Sequence, residues 1–245
     1  MMRRLSSRIA ATMLTVLAMV VALPLRAEMN APTQLQIGTQ SVRVPVPTGF
    51  VETSRRSPEL WSQALAFSAG DARIIAHFVT ERDLASYQKG NTVVFKDFLL
   101  VQTPRRAESL TVTQAQFDKL RSGTVALQSD LSSRLAPRLS TELDRISKGM
   151  SSAQGTPMTL RIGEIVPVSV DRNEPNVLIF TVLSQLGAAE GKAAVNQTMV
   201  STTAYCFVSG KVVMLTAYRH FHSPRDLQAS RALVSEWSKA VLSTN

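Results

Sequence analysis

Alternating apolar and polar positions mark strands in the first half of the chain. Residues 35–46 alternate around Gly38, and this pattern predicts a β-hairpin. Residues 72–79 and 92–101 are rich in β-branched and aromatic side chains and predict two further strands. The polar, proline-containing residues 28–34 predict a disordered lead before the hairpin.

Helix start and stop signals lie between these strands. Ser57 is a hydroxyl cap and Pro58 stands at the first helical turn, so a helix is predicted from here to Gly70. Residues 83–88 predict a second, shorter helix, which ends at Gly90 because glycine disfavours a continued helix.

A long amphipathic helix is predicted over residues 113–148. Leucines recur mostly four positions apart, with charged residues between them. Pro137 removes a backbone donor, which predicts a kink or a break at residues 133–136. Acidic residues interrupt the polar face. A helix whose apolar face packs in the core is therefore favoured over a helix that lies on a membrane surface.

The C-terminal half predicts an antiparallel meander. Turn residues occur at 173–176, 187–191 and 209–211. The predicted strands cover residues 158–165, 167–170, 177–185, 198–208 and 212–218.

A last helix follows the meander and completes the fold class. Ser223 and Pro224 predict its start, and Trp237 belongs to its apolar face. Strands grouped together and followed by a helix predict an α+β fold, in which an antiparallel sheet is covered by helices.

Three features of the sequence resemble those of a known protein family. The Pro-x-Gly-Phe turn at Pro47, the late strand after Gly210 and the terminal helix with Trp237 are similar to those of small Mog1/PsbP-like α+β domains. The resemblance implies a non-enzymatic accessory or binding role.

The N-terminus has the order of an export signal. A basic start at residues 3–8 precedes an apolar run at 9–25 and a cleavage tripeptide that ends at Ala27. A membrane span needs about 20 apolar residues. The run is shorter than that, so cleavage is favoured over an uncleaved anchor. We expect a signal peptide at 1–27 and a single periplasmic domain at 28–245.

Charge and composition narrow the class of partner. Loss of the four arginines in residues 1–27 lowers the formal charge from +9 to +5. The longest runs among the remaining basic residues are the doublets Arg55-Arg56 and Arg105-Arg106, and aromatic residues make up 6% of the chain. Both features argue against nucleic-acid binding. An envelope protein or a cell-envelope polymer is the expected partner, with membrane contact only if the signal stays uncleaved.

Ser86 and Lys89 have the spacing of a Ser-x-x-Lys motif, in which one helical turn brings an amine near a hydroxyl nucleophile. No Lys-Thr-Gly or Ser-Asp-Asn motif accompanies them. An ordinary polar helix end is therefore favoured, and catalysis is the alternative. Cys206, the only cysteine, lies in an apolar stretch and is expected to be a small buried side chain.

His220 and His222 flank one residue at the end of a predicted strand, a spacing that occurs among metal ligands. A third ligand would have to come from His77 or from a carboxylate such as Asp226. Loop histidines before a helix cap are commoner than such a site, so we expect no metal and no other cofactor.

The chain contains no nucleophile elbow, zinc-protease motif or dinucleotide fingerprint. We therefore expect an exported accessory or binding protein without its own catalysis. The alternative is a small envelope hydrolase with dispersed catalytic residues, for which Ser86 with Lys89, or His220 with Asp226, are the candidates.

Overall fold

The computed structural model describes residues 29–66, 70–134, 158–190 and 193–245. Within these ranges, seven strands form one antiparallel sheet in the order β3-β4-β5-β9-β8-β7-β6, and β1 and β2 form a separate hairpin. The strands are β1 (Met29–Ile37), β2 (Gln40–Pro47), β3 (Phe50–Glu52), β4 (Ala72–Thr80), β5 (Asp97–Pro104), β6 (Met158–Glu174), β7 (Val177–Glu190), β8 (Ala193–Val208) and β9 (Lys211–His220). The fold class is α+β, as the sequence predicts.

Helices connect and cover these strands. They are α1 (Thr53–Arg56), α2 (Pro58–Ala66), α3 (Glu81–Gln88), α4 (Arg105–Glu108), α5 (Gln114–Arg134) and α6 (Pro224–Thr244). The predicted starts at Pro58 and Pro224 are confirmed. Ser223 and Asp226 form a capping box at the start of α6, in which each side chain bonds to the backbone of the other. In the described residues, no helix combines the length and the hydropathy that a membrane span requires.

The first face of the sheet packs against the hairpin and α6. Trp237 of α6 is fully buried and its indole N–H donates to the Pro45 carbonyl of β2 at 2.8 Å. Its ring meets Phe78 of β4 edge to face, with centroids 6.1 Å apart. The main hydrophobic core therefore lies between the sheet, the hairpin and the last helix.

The second face of the sheet is covered by helices at two places. A smaller cluster of Val51, Leu60, Val79 and Leu84 joins β3 and β4 to α2 and α3. Farther along the sheet, Phe117 of α5 stacks on a phenylalanine of β8, with ring centroids 5.4 Å apart.

The expected disordered lead at residues 28–34 is wrong from Met29 onward. Strand β1 begins there and pairs with β2 as far as Ile37. The register shifts between Asn30 and Thr33, where Pro32 lies. Proline lacks a backbone donor, so a break in the ladder lets the strand include it.

Other strand boundaries also differ from the prediction. Strand β5 begins at Asp97, and residues 91–96 before it are irregular. Strand β6 runs without interruption to Glu174. Its pairing with β7 shifts register at three places and continues after each of them. The turn predicted at 187–191 is replaced by strand as far as Glu190, since β7 has a partner on both sides there.

The long helix is confirmed at its start. Helix α5 begins at Gln114 and is described as far as Arg134. The rest of the predicted helix, including Pro137 and its kink, lies outside the described residues.

Candidate functional site

An open groove lies where the hairpin meets β3 and α1. Its volume is about 400 Å³. The groove is lined by Asn30, Thr33, Val46, Phe50, Val51, Glu52, Arg55, Arg56 and Glu81. Residues from β1, β2, β3, α1 and α3 thus meet at one place on the surface.

A tight turn and a helix cap bring the distant Glu81 to this groove. Gly49, between β2 and β3, has a φ of +83°, a backbone conformation that suits glycine. The backbone N–H of Glu81 donates to the Gly49 carbonyl at 3.0 Å. Thr80 then caps α3 by accepting from the backbone N–H of Asp83 at 3.1 Å.

Three of the residues that line the groove are apolar, and they contribute little exposed surface to it. Val46, Phe50 and Val51 are each exposed to less than a tenth of their surface. Phe50 belongs to the main core, whereas Val51 belongs to the smaller cluster on the second face of the sheet. Their packing fixes this part of β3, and the accessible lining of the groove is mostly polar.

Charged side chains of both signs form the rim of the groove, and among the described residues neither the two glutamates nor the two arginines have a salt-bridge partner. Glu52 accepts a hydrogen bond from the Ser54 hydroxyl, and Glu81 lies in the first turn of α3, where the helix dipole favours a negative charge. Arg55 and Arg56 are exposed. Among the described residues, neither guanidinium group has a carboxylate partner.

Two strand edges run beside the groove. Within the described ranges, β1 pairs only with β2 and β3 pairs only with β4, so each strand has a partner on one side alone. The register shift in β1 falls between Asn30 and Thr33, the two β1 residues that line the groove. Such irregularities in strands occur often beside functional sites.

Ser86 and Lys89 lie at the end of α3. The Ser86 hydroxyl accepts from the Asn91 side-chain amide at 3.2 Å, and Lys89 is exposed. In the described part of the chain, no hydrogen bond joins the Lys89 ammonium to the Ser86 hydroxyl. Catalysis by this pair stays a prediction.

The structure brings His222 and Asp226 together through the backbone. Asp226 Oδ2 accepts from the backbone N–H groups of His222 at 2.9 Å and Ser223 at 2.8 Å, and these two bonds lower the pKa of Asp226. This carboxylate thus caps α6. Its use as the partner of His220 in acid-base chemistry stays a prediction.

The two neighbouring histidines lie close to each other. The rings of His220 and His222 have centroids 5.8 Å apart. Burial, followed by the charges of His222 and Lys96, lowers the pKa of His220. Within the ranges that the structure describes, no three His, Cys, Asp or Glu side chains are grouped as metal ligands would be.

His77, the other candidate metal ligand, is enclosed in the middle of β4. Its Nδ1 atom lies 3.1 Å from the Thr53 hydroxyl, and its ring meets Phe98 edge to face at 6.0 Å. Burial lowers the pKa of His77 to about 4. Cys206 is fully buried, as the sequence predicts, and burial raises the pKa of its thiol to about 12, so it stays a neutral thiol at neutral pH.

Sequence reasoning did not identify the groove. The Arg55-Arg56 doublet was visible in the sequence, but the most economical interpretation of a short basic doublet is a solvated surface. Asn30 and Glu81 lie far from that doublet along the chain and reach it only through the fold.

No family model matches the chain. No curated protein matches it either. Two structures of Mog1 are among the solved structures similar to it. One is the Ran-binding protein Mog1p of Saccharomyces cerevisiae, at 13% identity and a TM-score of 0.33, with 88% of this chain and 90% of that chain covered. The other is a point mutant of Protein Mog1, at 13% identity and a TM-score of 0.34, with 86% and 89% covered.

The resemblance to Mog1/PsbP-like domains predicted from the sequence is confirmed at this level of similarity. The α+β class itself rests on the strand order and the helices described above. A similarity this low carries no argument about function.

Proposed function

We propose that this chain is an exported binding protein of the bacterial periplasm, which holds another envelope protein and carries out no chemistry of its own. The groove between the hairpin, β3 and α1 is the observation that carries the proposal. Binding sites commonly combine an apolar interior with a few polar groups that fix orientation. The lining of this groove combines three apolar residues, Val46, Phe50 and Val51, with charged side chains of both signs.

The signs of the charges favour a protein over a polymer as the partner. A polyanionic envelope polymer would meet the carboxylates of Glu52 and Glu81 as well as the guanidinium groups of Arg55 and Arg56. Like charges brought close together repel each other and weaken binding. A protein surface can offer both signs of charge at once, which matches this rim.

The bonds of the candidate catalytic side chains also support a binding role. Asp226 is engaged in the cap of α6, and the Ser86 hydroxyl is held by Asn91. The alternative of an envelope hydrolase has its own direct test. An enzyme that used Ser86 would be labelled by an acylating probe, and Ser86→Ala would lose the label, whereas the binding proposal expects no labelling of the wild type.

Crosslinking in intact cells at native expression tests the proposed function. The chain and everything joined to it are recovered under denaturing conditions and identified by mass spectrometry. We expect one envelope protein to recur in replicate samples and to be absent when the crosslinker is omitted. Replicates without any recurring protein would contradict the proposal.

A further inference from the structure

We propose that the start of α6 is an acid-sensitive hinge, in which protonation of His220 and His222 releases residues 220–229 while the sheet and the rest of α6 stay packed. The hinge does not depend on the binding role proposed above. It follows from the packing of this part of the chain, the contact between the two rings and the charges around them.

Residues 220–229 join two well-packed parts of the molecule but are themselves loosely packed. Ala217 of β9 and Val234 of α6 belong to the main core, whereas none of residues 220–229 belongs to either hydrophobic cluster. His220 is the only buried side chain among them. At the far end, the buried Ser230 hydroxyl donates to the Thr202 hydroxyl at 2.9 Å. Segments with few buried apolar contacts open locally at a low free energy, so this one can open by itself.

A few backbone hydrogen bonds hold the segment closed. The N–H of His220 donates to the Lys96 carbonyl at 3.0 Å, and the N–H of Phe221 donates to the Thr198 carbonyl at 2.8 Å. The carboxylate of Asp226 caps the helix that follows. The closed form therefore depends on these bonds and on the buried ring of His220.

Protonation of both histidines places two positive charges close together, since their ring centroids lie 5.8 Å apart. The positive end of the α6 dipole adds to this charge. The other positive groups of the surrounding elements are Lys96 before β5, Arg219 of β9 and Arg225 of α6. The opposing carboxylates are already engaged, because Asp97 pairs with Arg219 at 2.8 Å and Asp226 forms the helix cap.

The burial of His220 gives the hinge its direction. Burial, followed by the charges of His222 and Lys96, lowers the pKa of His220 from 6.5. Opening exposes the ring and restores its usual pKa, so protonation favours the open form. This contribution to closure is fully present above pH 6.5 and is lost as the pH falls through the lower pKa of the closed form. The helix cap does not titrate in this range, because backbone hydrogen bonds lower the pKa of Asp226 from 3.8.

Backbone amide hydrogen exchange, measured by NMR on the full chain as an expressing bacterium leaves it, tests the hinge. The amides of His220 and Phe221 are expected to be protected at neutral pH and to lose protection at about pH 5. The amides of Leu215 and Trp237 should keep their protection factors at both pH values, because these residues lie in the main core. Unchanged protection at residues 220 and 221, or an equal loss at all four amides, would overturn the inference.

Matched substitutions identify the groups that titrate. In His220→Gln/His222→Gln neither side chain can gain a proton, so the loss of protection on acidification is expected to disappear. His77→Gln makes the same change at the buried histidine of β4. It should leave the loss intact, because the pKa of about 4 already keeps His77 neutral in the wild type under these conditions. A loss that persists in the double variant would show that other groups open the segment.

The exposed His222 allows a test that leaves the buried ring in place. In His222→Gln the pKa of His220, followed by NMR of its ring protons, is expected to rise, because a neighbouring positive charge no longer opposes its protonation. An unchanged or lower pKa of His220 in this variant would contradict a joint action of the two rings.

Discussion

At the scale of single residues, burial controls how His77 responds to pH. The side chain lies against Thr53 and Phe98, and burial lowers its pKa from 6.5 to about 4. A pKa that is lower in the folded state than in the unfolded state means that the unfolded chain binds the proton more readily. His77 therefore contributes stability that is fully present above pH 6.5 and is lost as the pH falls toward 4.

We predict that this one side chain accounts for a loss of stability of up to about 3 kcal/mol on acidification. Urea unfolding of the wild type and of His77→Gln, at neutral pH and near the folded pKa, measures the loss. The glutamine can still bond to the Thr53 hydroxyl but cannot titrate, so the variant should lose less stability than the wild type on acidification.

The wild type, measured at the same two pH values, is the reference for this comparison. An identical pH dependence in His77→Gln and the wild type would show that His77 does not control acid sensitivity.

At the scale of elements, the turn of the hairpin is fixed by close contact with the end of α4. The buried Lys211 ammonium donates to the carbonyls of Glu108 at 2.9 Å and Leu110 at 2.7 Å, which holds this segment in place. Gly38, at the hairpin turn, has a φ of +57°, and a Cβ added there would lie 2.3 Å from the Glu108 carbonyl oxygen.

Gly38→Ala is therefore expected to destabilise the protein more than Gly49→Ala does. Both positions have a left-handed backbone, which costs an alanine about 1 kcal/mol. At Gly49 nothing lies within 4 Å of an added Cβ, so only that cost applies, whereas Gly38 adds the clash. Thermal unfolding of the two variants compares them, and equal losses would show that the hairpin turn moves away from Glu108 at little cost.

Helix α6 is held to the hairpin chiefly through Trp237. Its side chain is fully buried, bonds to Pro45 and contacts Phe78. Trp237→Ala is expected to lower the free energy of unfolding by about 3 to 5 kcal/mol, the range for removing a large core side chain. The same change at Trp61, which is only partly buried, should cost distinctly less in denaturant unfolding. A cost at Trp61 as large as that at Trp237 would contradict this account of the core.

Local signals predicted the elements that depend on a few neighbouring residues. The starts of α2 and α6 follow from a serine cap and a proline, which act within one turn. The start of β1 did not follow in this way, because its polar residues become a strand only through pairing with β2. The full length of β6 depends likewise on its pairing with β7, which lets three register shifts persist within one strand.

At the scale of the whole molecule, the groove could not be predicted from local sequence signals either. Arg55 and Arg56 are neighbours in sequence, but Asn30 and Glu81 reach them only after the hairpin has packed beside β3 and α3 has been capped. No spacing in the sequence indicates that these four residues come together. The candidate pairs that spacing did suggest, Ser86 with Lys89 among them, stay predictions.

The proposed export of the chain has a simple test. N-terminal sequencing of the protein recovered from cells is expected to begin at Glu28, because the basic start, apolar run and small residue at Ala27 have the order of a cleaved signal. Recovery from the periplasmic fraction should accompany this start. An intact Met1 in the mature protein would instead support an uncleaved anchor.

The central claim is that the groove is where this protein holds its partner. Photo-crosslinking in living cells tests it most directly, with a photoreactive amino acid placed either at Thr33 in the groove lining or at Arg105 on α4. The account predicts a discrete adduct with one envelope protein from position 33 and none from position 105. Adducts from position 105 alone, equal adducts from both positions, or no adduct from either would contradict it.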